Sequence, residues 1–354
     1  MDWITWTLIA LGSISAGCLA VVVLFFIHSK RSYQPIVLRI FEEKPFFKAS
    51  QSFPTPEAEE YDFTTKDGLT LAACLIRSQA HEKKGLILFA PEYGSTRWSC
   101  VHYAGHLLEA GYDLFAFDFR NQGDSESLEG YQPLQWVTQH EVTDVRAAIE
   151  FLKQAPFCPE EGIGFFGVSR GAGAGIVASS GDPFVKCLVT DGAFGTVATM
   201  IRFMIKWVSI YSNKINVQKW IPKWGYGMLA LSTLNEVHRR RQLAFPSVRN
   251  ALRRLSSQKQ RLYMIHGKAD GYIRPEIALD LQNAAPKNLR QLWMVEGAKH
   301  NQAIEIAEDE YKLFTSSFFC EHLVTEPVPQ SMPSIELDQT RAARSGSKFT
   351  TAGI

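Results

Sequence analysis

One serine in the sequence stands in a setting that would make it a nucleophile. Residues 167–171 read Gly-Val-Ser-Arg-Gly and match the pattern G-x-S-x-G, with an apolar run before them and a run of small residues after them. This pattern is typical of a nucleophile elbow, in which a strand turns sharply into a helix and leaves the serine oxygen at the apex. The flanking glycines permit the strained turn. The stretch therefore predicts that Ser169 attacks a carbonyl carbon.

The same stretch also fits a dinucleotide-binding pattern. Gly162, Gly164 and Gly167 have the spacing G-x-G-x-x-G. A dinucleotide loop must follow its strand and open a helix. Here the glycines lie within the predicted strand, with Phe165 and Phe166 between them. We therefore expect no nucleotide at this position, and the sequence implies no other cofactor.

A nucleophilic serine needs a base, and the base needs an acid that orients it. Functional groups of a parallel α/β sheet collect at the carboxyl ends of the strands. Asp270 and His300 each follow a predicted strand. Asp191 does so too and is a second candidate acid, for which a capping or turn role is the alternative. The chain order Ser169, Asp270, His300 favours Asp270 as the acid of a catalytic triad.

Each residue of this triad has an expected role. His300 would take the proton of Ser169 and hand it to the leaving group, while Asp270 would hold the imidazole in the correct tautomer. The oxyanion of the tetrahedral intermediate needs N–H donors. We expect the backbone N–H of Arg170, next to the nucleophile, and that of Tyr93, in the loop after an earlier strand.

Short apolar strands and helices alternate along the middle of the chain. Strands are predicted at residues 60–65, 69–76, 85–90, 113–118, 162–167, 185–190, 261–266 and 291–295, and helices at 98–110, 134–154 and 301–320. This alternation predicts the α/β class, with a mostly parallel sheet flanked by helices on both faces.

Residues 195–260 interrupt the alternation and are too long for an ordinary connection. They interleave aromatic residues with lysines and arginines. We expect a helical lid inserted above the sheet. Two interpretations of its surface stay open: solvated helices that cover apolar core, or helices whose aromatic and basic residues contact the membrane interface.

The start of the chain predicts a membrane anchor. No charged residue lies between Trp3 and Ile27, and about 25 helical residues can cross a hydrocarbon core of ~30 Å. Lys30 and Arg31 follow the apolar run, whereas Asp2 is the only charged side chain before it. Because basic residues stay on the cytoplasmic side, we expect a single-pass membrane protein with a cytoplasmic catalytic domain.

Two alternatives to the anchor are a cleaved signal peptide and a lipoprotein site at Cys18. Both need a basic segment before the apolar run. The sequence has none there, and the apolar run continues well past Cys18. A third alternative, a buried core helix, would rarely be this long without a charged residue. A retained span fits the pattern better than any of the three alternatives.

Charge and composition argue against several other functions. The formal net charge of the 354 residues is +1, which gives no basis for a nucleic-acid partner. The six cysteines are scattered and are expected to be reduced thiols. His102 and His106 are spaced like metal ligands, but Tyr103 stands where the H-E-x-x-H pattern requires glutamate, so no metal site is predicted.

Taken together, the motifs resemble the α/β-hydrolase superfamily over about residues 58–320. The resemblance is strongest to membrane-anchored members near the monoacylglycerol-lipase, serine-aminopeptidase and acyl-thioesterase branches. It implies the α/β-hydrolase fold and a serine mechanism. The residues that carry it are the elbow at 167–171, Asp118, Arg120, Gly123 and Ser125 of one loop, His266, Gly267 and Asp270 of a second, and Gly297 and His300 of a third.

The sequence departs from the superfamily pattern at three points. Pro91 and Glu92 replace the usual His-Gly of the oxyanion loop, so Tyr93 as a donor is inferred from position only. Asn121 stands where glycine is common, and one extra residue precedes Pro275. Residues 118–125 are expected to form a structural turn. The serine at the elbow argues against the dehalogenases and epoxide hydrolases, whose nucleophile is a carboxylate.

These observations predict four segments. They are a transmembrane anchor (1–31), a juxtamembrane linker (32–57), a hydrolase domain (58–320, with the lid at 195–260) and a disordered tail (321–354). The linker would lie on the bilayer surface or pack on the domain.

The expected function is cleavage of a carboxylic ester in a small, acyl-bearing or lipid-like molecule at the bilayer. A thioester substrate, an aminopeptidase and a non-catalytic scaffold stay open as alternatives. An aminopeptidase would need an acid in the lid to hold the substrate amine, and Glu236 is the only acidic residue in residues 195–260.

Overall fold

The computed structural model describes residues 2–42, 52–211, 223–255, 259–287 and 290–323. The predicted tail lies outside the described residues from 324 onward, and so do parts of the predicted linker and lid. Residues 321 and 322 belong to the last helix.

Strands and helices alternate as the sequence predicts. The strands are β1 (Glu59–Thr64), β2 (Thr70–Ile76), β3 (Gly85–Ala90), β4 (Tyr112–Phe117), β5 (Ile163–Val168), β6 (Val185–Asp191), β7 (Arg261–Gly267) and β8 (Arg290–Val295). The helices are α1 (Trp3–Glu42), α2 (Ser99–Glu109), α3 (Gln139–Leu152), α4 (Arg170–Ser179), α5 (Thr196–Tyr211), α6 (Lys223–Arg241), α7 (Val248–Arg254), α8 (Pro275–Ala284), α9 (Ala303–Ile306) and α10 (Glu308–His322).

The strands form one sheet in the order β1-β2-β4-β3-β5-β6-β7-β8. β2 pairs antiparallel with β1 and β4, and the other neighbours are parallel. The predicted mostly parallel sheet is therefore confirmed. β3 and β5 are neighbours, with Ala90 beside Gly167. Consequently the loops after β3, β5, β6, β7 and β8 meet at one edge of the sheet.

Helices cover both faces of the sheet, as expected. One face packs on α3, α4 and α7 and buries Val145, Ile176 and Leu252 among others. The opposite face packs on α2 and α10 and buries Leu107 and Phe319. Because both faces are covered, the inner strands are apolar throughout rather than alternating, and every residue of β5 is buried.

Several helix bounds differ from those predicted. Helix α3 begins at Gln139 because Thr138 and Glu141 form a capping box, so residues 134–138 are not helical. The predicted closing helix is two helices, α9 and α10, separated at Ala307. Helix α7 lies within the insertion predicted to be helical, whereas helix α8 was not predicted. Pro275 in the first turn of α8 was the missed signal.

Helix α1 is longer than the predicted anchor. Its segment Trp3–Ser32 has a mean hydropathy of 2.5 in its most apolar window, and none of that window is buried. By length and composition this segment can cross a membrane. The helix then continues through Pro35 to Glu42 instead of ending at residue 31.

The last turns of α1 pack on the domain. Val37, Leu38 and Phe41 are buried there. The Phe41 ring stacks on Trp136 with 4.8 Å between centroids, and the Trp136 indole N–H donates to the Phe41 carbonyl at 2.8 Å. Of the two positions left open for the linker, residues up to Glu42 therefore take the one on the domain.

A third apolar cluster joins α1 to helices α5 and α6, which we call the insertion helices. We call this group the α1–insertion cluster. Its buried members include Val37, Leu38, Phe41, Trp136, Phe194, Met200, Met204, Leu229, Leu234, Val237 and Ile273. The cluster lies above the sheet edge that carries the strand-end loops.

Candidate active site

Ser169 occupies the turn between β5 and α4. Its backbone has φ 50° and ψ −111°, a combination that costs a non-glycine residue of the order of 1–3 kcal/mol. The Ser169 N–H donates to the Asp191 carbonyl at 2.7 Å, so the neighbouring strand β6 holds the turn. The local geometry is that of a nucleophile elbow.

The two glycines that flank Ser169 each lie close to a different part of the backbone. A Cβ on Gly171 would lie 2.2 Å from the carbonyl oxygen of Ala90 at the end of β3. A Cβ on Gly167 would lie 2.7 Å from Cα of Ala172. The first glycine lets α4 approach β3, and the second lets the chain reverse. The elbow needs both at these positions.

The structure brings Ser169, His300 and Asp270 together in the predicted order. Ser169 Oγ lies 2.9 Å from His300 Nε2, and His300 Nδ1 lies 2.7 Å from Asp270 Oδ2. Because a carboxylate only accepts, Nδ1 carries the imidazole hydrogen and Nε2 is left to accept the serine proton. All three residues are buried.

Asp270 is fixed by the loop after β7. Its Oδ1 accepts the backbone N–H groups of Tyr272 and Ile273, each at 2.8 Å, which leaves Oδ2 for His300. His266 is close on the other side, with Nε2 3.6 Å from Asp270 Oδ2 and 2.8 Å from the Ile273 carbonyl. Burial lowers the pKa of His266, so this histidine stays neutral beside the acid.

The position of the His300 ring is fixed by contacts with two neighbouring residues. The ring of Tyr272 lies 5.4 Å from it, centroid to centroid. Gly192, at φ 66°, lies so close that a Cβ there would be 3.2 Å from His300 Cε1. These contacts hold the imidazole plane in line with Ser169.

Asp191, the second candidate acid, has a different partner. Its Oδ2 accepts the hydroxyl of Tyr311 at 3.0 Å. Burial raises the pKa of Asp191 to about 7, and the nearby charges of Asp270 and Glu92 add to the increase. His300 acts in the opposite direction. The structure thus pairs Asp270 with the imidazole and leaves Asp191 as a buried acid behind it.

The two residues expected to supply the oxyanion donors contact each other through their side chains. Arg170 opens α4 directly after Ser169. The guanidinium of Arg170 lies 5.0 Å from the ring centre of Tyr93. Its Nη1 donates to the Leu134 carbonyl at 3.0 Å and lies 3.5 Å from Glu141. The buried Arg170 side chain therefore ties the Tyr93 loop to the start of α3.

Glu92, which replaces part of the common His-Gly pair, is fully buried. Its carboxylate accepts the hydroxyls of Ser99, at 3.3 Å, and of Tyr103, at 3.5 Å. Helix α2 therefore supplies both hydroxyls that stabilise the glutamate found in place of the common His-Gly pair.

Residues 118–125 form a turn that is buried at both ends and exposed at Gly123 and Asp124, in agreement with the structural role predicted for them. Asp118 accepts the Arg97 backbone N–H at 2.6 Å and forms an ion pair with its guanidinium. A Cβ on Gly123 would lie 2.1 Å from the Asp118 carboxylate. Asn121 has φ 60°, which explains why glycine would suit this position.

His106, which has the spacing of a metal ligand in the sequence, forms a hydrogen bond with another helix instead. Its Nε2 lies 2.7 Å from the Thr315 hydroxyl on α10. Burial lowers the pKa of His106 to about 4. It therefore packs between two helices as a neutral ring.

Three residues of the site, Tyr272, Tyr311 and Glu141, were not predicted from the sequence, and neither was the role of the Arg170 side chain. Glu141 had a signal, since Thr138 and Glu141 have capping-box spacing. Tyr272 and Tyr311 had none, because nothing in the local pattern says which aromatic residue meets the imidazole or the buried acid.

Known proteins resemble this chain in fold and in part of its sequence. The Pyrococcus furiosus esterase Pf2001 superposes with a TM-score of 0.56 and 23% identity, over 78% of this chain and 99% of that one. The acyltransferase drtE of Aspergillus calidoustus is 30% identical over 143 residues, which is 40% of this chain and 44% of that protein. The thiohydrolase aneE of Aspergillus aculeatus is 29% identical over 133 residues, 37% and 40% of the two chains.

No protein-family model matches the sequence. The matched stretch spans less than half the length of these curated relatives. The structural likeness, at this low identity, establishes the fold. The chain has the α/β-hydrolase fold that the motifs predict.

Proposed function

We propose that this chain is a membrane-anchored serine hydrolase that cleaves carboxylic esters of small, acyl-bearing molecules through an acyl-enzyme. The observation that carries the proposal is the hydrogen-bonded chain from Asp270 through His300 to Ser169. It lies at the sheet edge where this fold collects its functional groups.

The reaction begins when Ser169 Oγ attacks the ester carbonyl carbon while His300 Nε2 takes the serine proton. The oxyanion then forms beside the backbone N–H groups of Arg170 and Tyr93. When the intermediate collapses, the C–O bond to the alcohol breaks and His300 returns the proton to the leaving alkoxide. The acyl group remains on Ser169 as an ester.

Water completes the cycle. His300 removes a proton from the water as it attacks the acyl carbon, and then gives that proton to Ser169 Oγ as the acid departs. Asp270 stabilises the imidazolium through Oδ2, while its other oxygen is held by two backbone N–H groups. The net change is ester plus water to carboxylic acid plus alcohol.

The proposed substrate is partly apolar because of what surrounds the site. Tyr272, which contacts His300, also meets Phe203 of α5 at 5.9 Å between ring centres. Ser169 is only 2% exposed, so a substrate reaches it after the insertion helices move as a lid. The exposed apolar segment of α1 would hold this opening near lipid.

Thioester cleavage or acyl transfer is the second candidate. The observation in its favour is the pair of partial relatives named thiohydrolase and acyltransferase. The same acyl-enzyme serves all three reactions, which differ in the leaving group or in the acceptor that replaces water.

The aminopeptidase alternative has less support. Glu236, the lid acid it would need, forms ion pairs with Arg239 and Arg240. A carboxylate held by two guanidinium groups is poorly placed to bind a substrate amine.

The test uses the full chain in native membranes with two matched panels of acyl esters and acyl thioesters. We expect a burst of leaving group and an acyl adduct on the Ser169 peptide by mass spectrometry. The Ser169→Ala variant should show neither, and Ser180→Ala, at the other end of α4, should show both. Turnover of the esters without an adduct on Ser169 would overturn the proposed mechanism.

A further inference from the structure

A basic groove lies between the end of the apolar segment of α1 and helix α6. Its volume is about 590 Å³. The charged residues that line it are Lys30, Arg31, Arg39, Glu42, Glu236 and Arg240. The groove is separate from the triad, and the proposed reaction does not use it.

The two carboxylates of this groove are already engaged. Glu42 lies 2.9 Å from Arg241 Nε, and Glu236 lies 2.8 Å from Arg240 Nε. Glu236 also pairs with Arg239. Within the part of the chain that the structure describes, Lys30 and Arg31 form no ion pair. Among the described residues, the groove therefore presents two basic side chains, Lys30 and Arg31, that no carboxylate pairs with.

The groove stands at the level where a bilayer would end. Lys30 and Arg31 are the last charged residues of the segment Trp3–Ser32, which is long and apolar enough to cross a membrane. Basic residues in this position face the phosphate layer of the membrane.

Helix α6 runs beside α1 in the same direction. Gln34 Nε2 donates to the Ser232 carbonyl at 3.1 Å, and further along both helices Glu42 pairs with Arg241. The first turns of α6 therefore lie beside the last turns of the apolar segment.

Those first turns of α6 carry an exposed apolar face. Trp224, Met228 and Leu231 follow helical spacing, and each is about half exposed. An apolar face beside the span, with a basic groove directly below it, has the layering of a lipid interface. This observation is independent of the charge of the groove and indicates the same occupant.

We propose that the groove binds the phosphate headgroup of an anionic phospholipid of the membrane that holds α1. The inference rests on the anchoring in the proposed function and adds a ligand site to it. The Lys30 ammonium and the Arg31 guanidinium supply the N–H donors that a phosphate accepts. The acyl chains of the lipid lie against α1 and the exposed face of α6. The lipid thereby fixes the insertion helices relative to the bilayer.

The test measures lipid binding directly. The full chain in detergent is titrated by native mass spectrometry with phosphatidylglycerol, with phosphatidylcholine of the same acyl chains, and with inorganic phosphate. We expect phosphatidylglycerol to bind about 30-fold more tightly than phosphatidylcholine. In the Lys30→Gln, Arg31→Gln double variant, binding of phosphatidylglycerol should weaken roughly 30-fold while phosphatidylcholine is unaffected.

The matched control removes the same two charges elsewhere. Arg146 of α3 and Lys186 of β6 are exposed, and the Arg146→Gln, Lys186→Gln variant should bind both lipids like wild type. Equal binding of the two lipids, or an equal loss in the control, would overturn the proposal. Binding of inorganic phosphate as tight as that of the lipid would reassign the groove to a soluble phosphate compound and also contradict it.

Failure of the lipid-binding proposal can be distinguished from failure of the proposed function. Ser169→Ala should bind phosphatidylglycerol like wild type, because the groove does not include the nucleophile. Extraction of membranes with alkaline carbonate tests the anchor alone. A retained anchor and an inactive enzyme with intact lipid selectivity would contradict the hydrolase and support the groove.

Discussion

At the scale of single residues, two buried carboxylates stand near one imidazole and have different partners. Asp270 is held by two backbone N–H groups and contacts Nδ1 of His300. Asp191 is held by Tyr311 on the far side. In the proposed mechanism Asp270 orients the imidazole, whereas Asp191 has a structural role beside the elbow.

Removing the charge of Asp270 should therefore damage the chemical step. Asp270→Asn is expected to lower kcat by roughly 10⁴-fold with little change in KM, because the wrong imidazole tautomer is then stabilised. Asp191→Asn should lower kcat by less than about tenfold, since Asn can still accept from Tyr311. Steady-state kinetics on one chromogenic ester compares the two. A similar loss in both variants would contradict the assignment.

Asp191 should also make stability depend on pH. Burial raises its pKa in the folded chain to about 7 from 3.8, whereas the unfolded chain keeps the ordinary value. Between these values the folded state binds more protons, so the free energy of unfolding falls as pH rises, by at most about 1.4 kcal/mol per pH unit.

The measurement is the Tm of the full chain in detergent at pH 5 and pH 8. Asp191→Asn should show a smaller loss of Tm between the two pH values than wild type, because the titrating group is gone. An identical change in Tm for both proteins would show that Asp191 does not titrate in this window.

At the scale of elements, the geometry of the elbow depends on the close approach of α4 to the end of β3. Ala90 of β3 pairs beside Gly167 of β5, and the Ala90 carbonyl nearly touches Gly171 of α4. The Tyr93 loop follows β3 directly. Any added volume between α4 and β3 must therefore displace the loop expected to carry an oxyanion donor.

Gly171→Ala should test this contact. Its Cβ would lie 2.2 Å from a backbone oxygen that cannot move cheaply, so we expect kcat to fall by about 10²–10³-fold through a misplaced donor. Gly105→Ala in α2 is the matched control, because its nearest neighbour would be a side-chain methyl at 3.6 Å. The control should keep full activity and gain up to about 1 kcal/mol of stability. Full activity in Gly171→Ala would refute the packing argument.

At the scale of the whole molecule, α1 is an anchor candidate at one end and part of the domain at the other. Phe41 stacks on Trp136, which in turn meets Phe203 of α5 at 5.8 Å between ring centres. Phe203 contacts Tyr272, and Tyr272 contacts His300. A continuous row of aromatic rings thus connects the last turn of α1 to the imidazole of His300.

Shortening the first ring of this row should destabilise the domain. Phe41 is 1% exposed, and Phe41→Ala is expected to cost about 3–5 kcal/mol of unfolding free energy. Phe25→Ala is the matched control on the same helix, because Phe25 lies in the apolar segment and is 44% exposed. Thermal denaturation in detergent should separate the two. Equal Tm values would contradict the packing of α1 on the domain.

The sequence was sufficient to predict the features of the site that are set by the order of the strands and by the positions where they end. Ser169, Asp270 and His300 each follow a short apolar strand, and parallel strands bring such positions to one edge. The continuation of α1 past residue 31 was not predictable in this way. Lys30, Arg31 and Pro35 indicate the end of a helix, and only the burial of Phe41 against Trp136, a contact between distant parts of the chain, shows that the helix persists.

The proposed nucleophile is tested most simply by labelling the full chain in isolated membranes with a fluorophosphonate probe. We expect wild type and Ser180→Ala to be labelled and Ser169→Ala to remain unlabelled, because the probe reacts with a serine that is activated by a neighbouring base. A folded wild-type protein that takes up no probe, or equal labelling of Ser169→Ala, would contradict the serine mechanism.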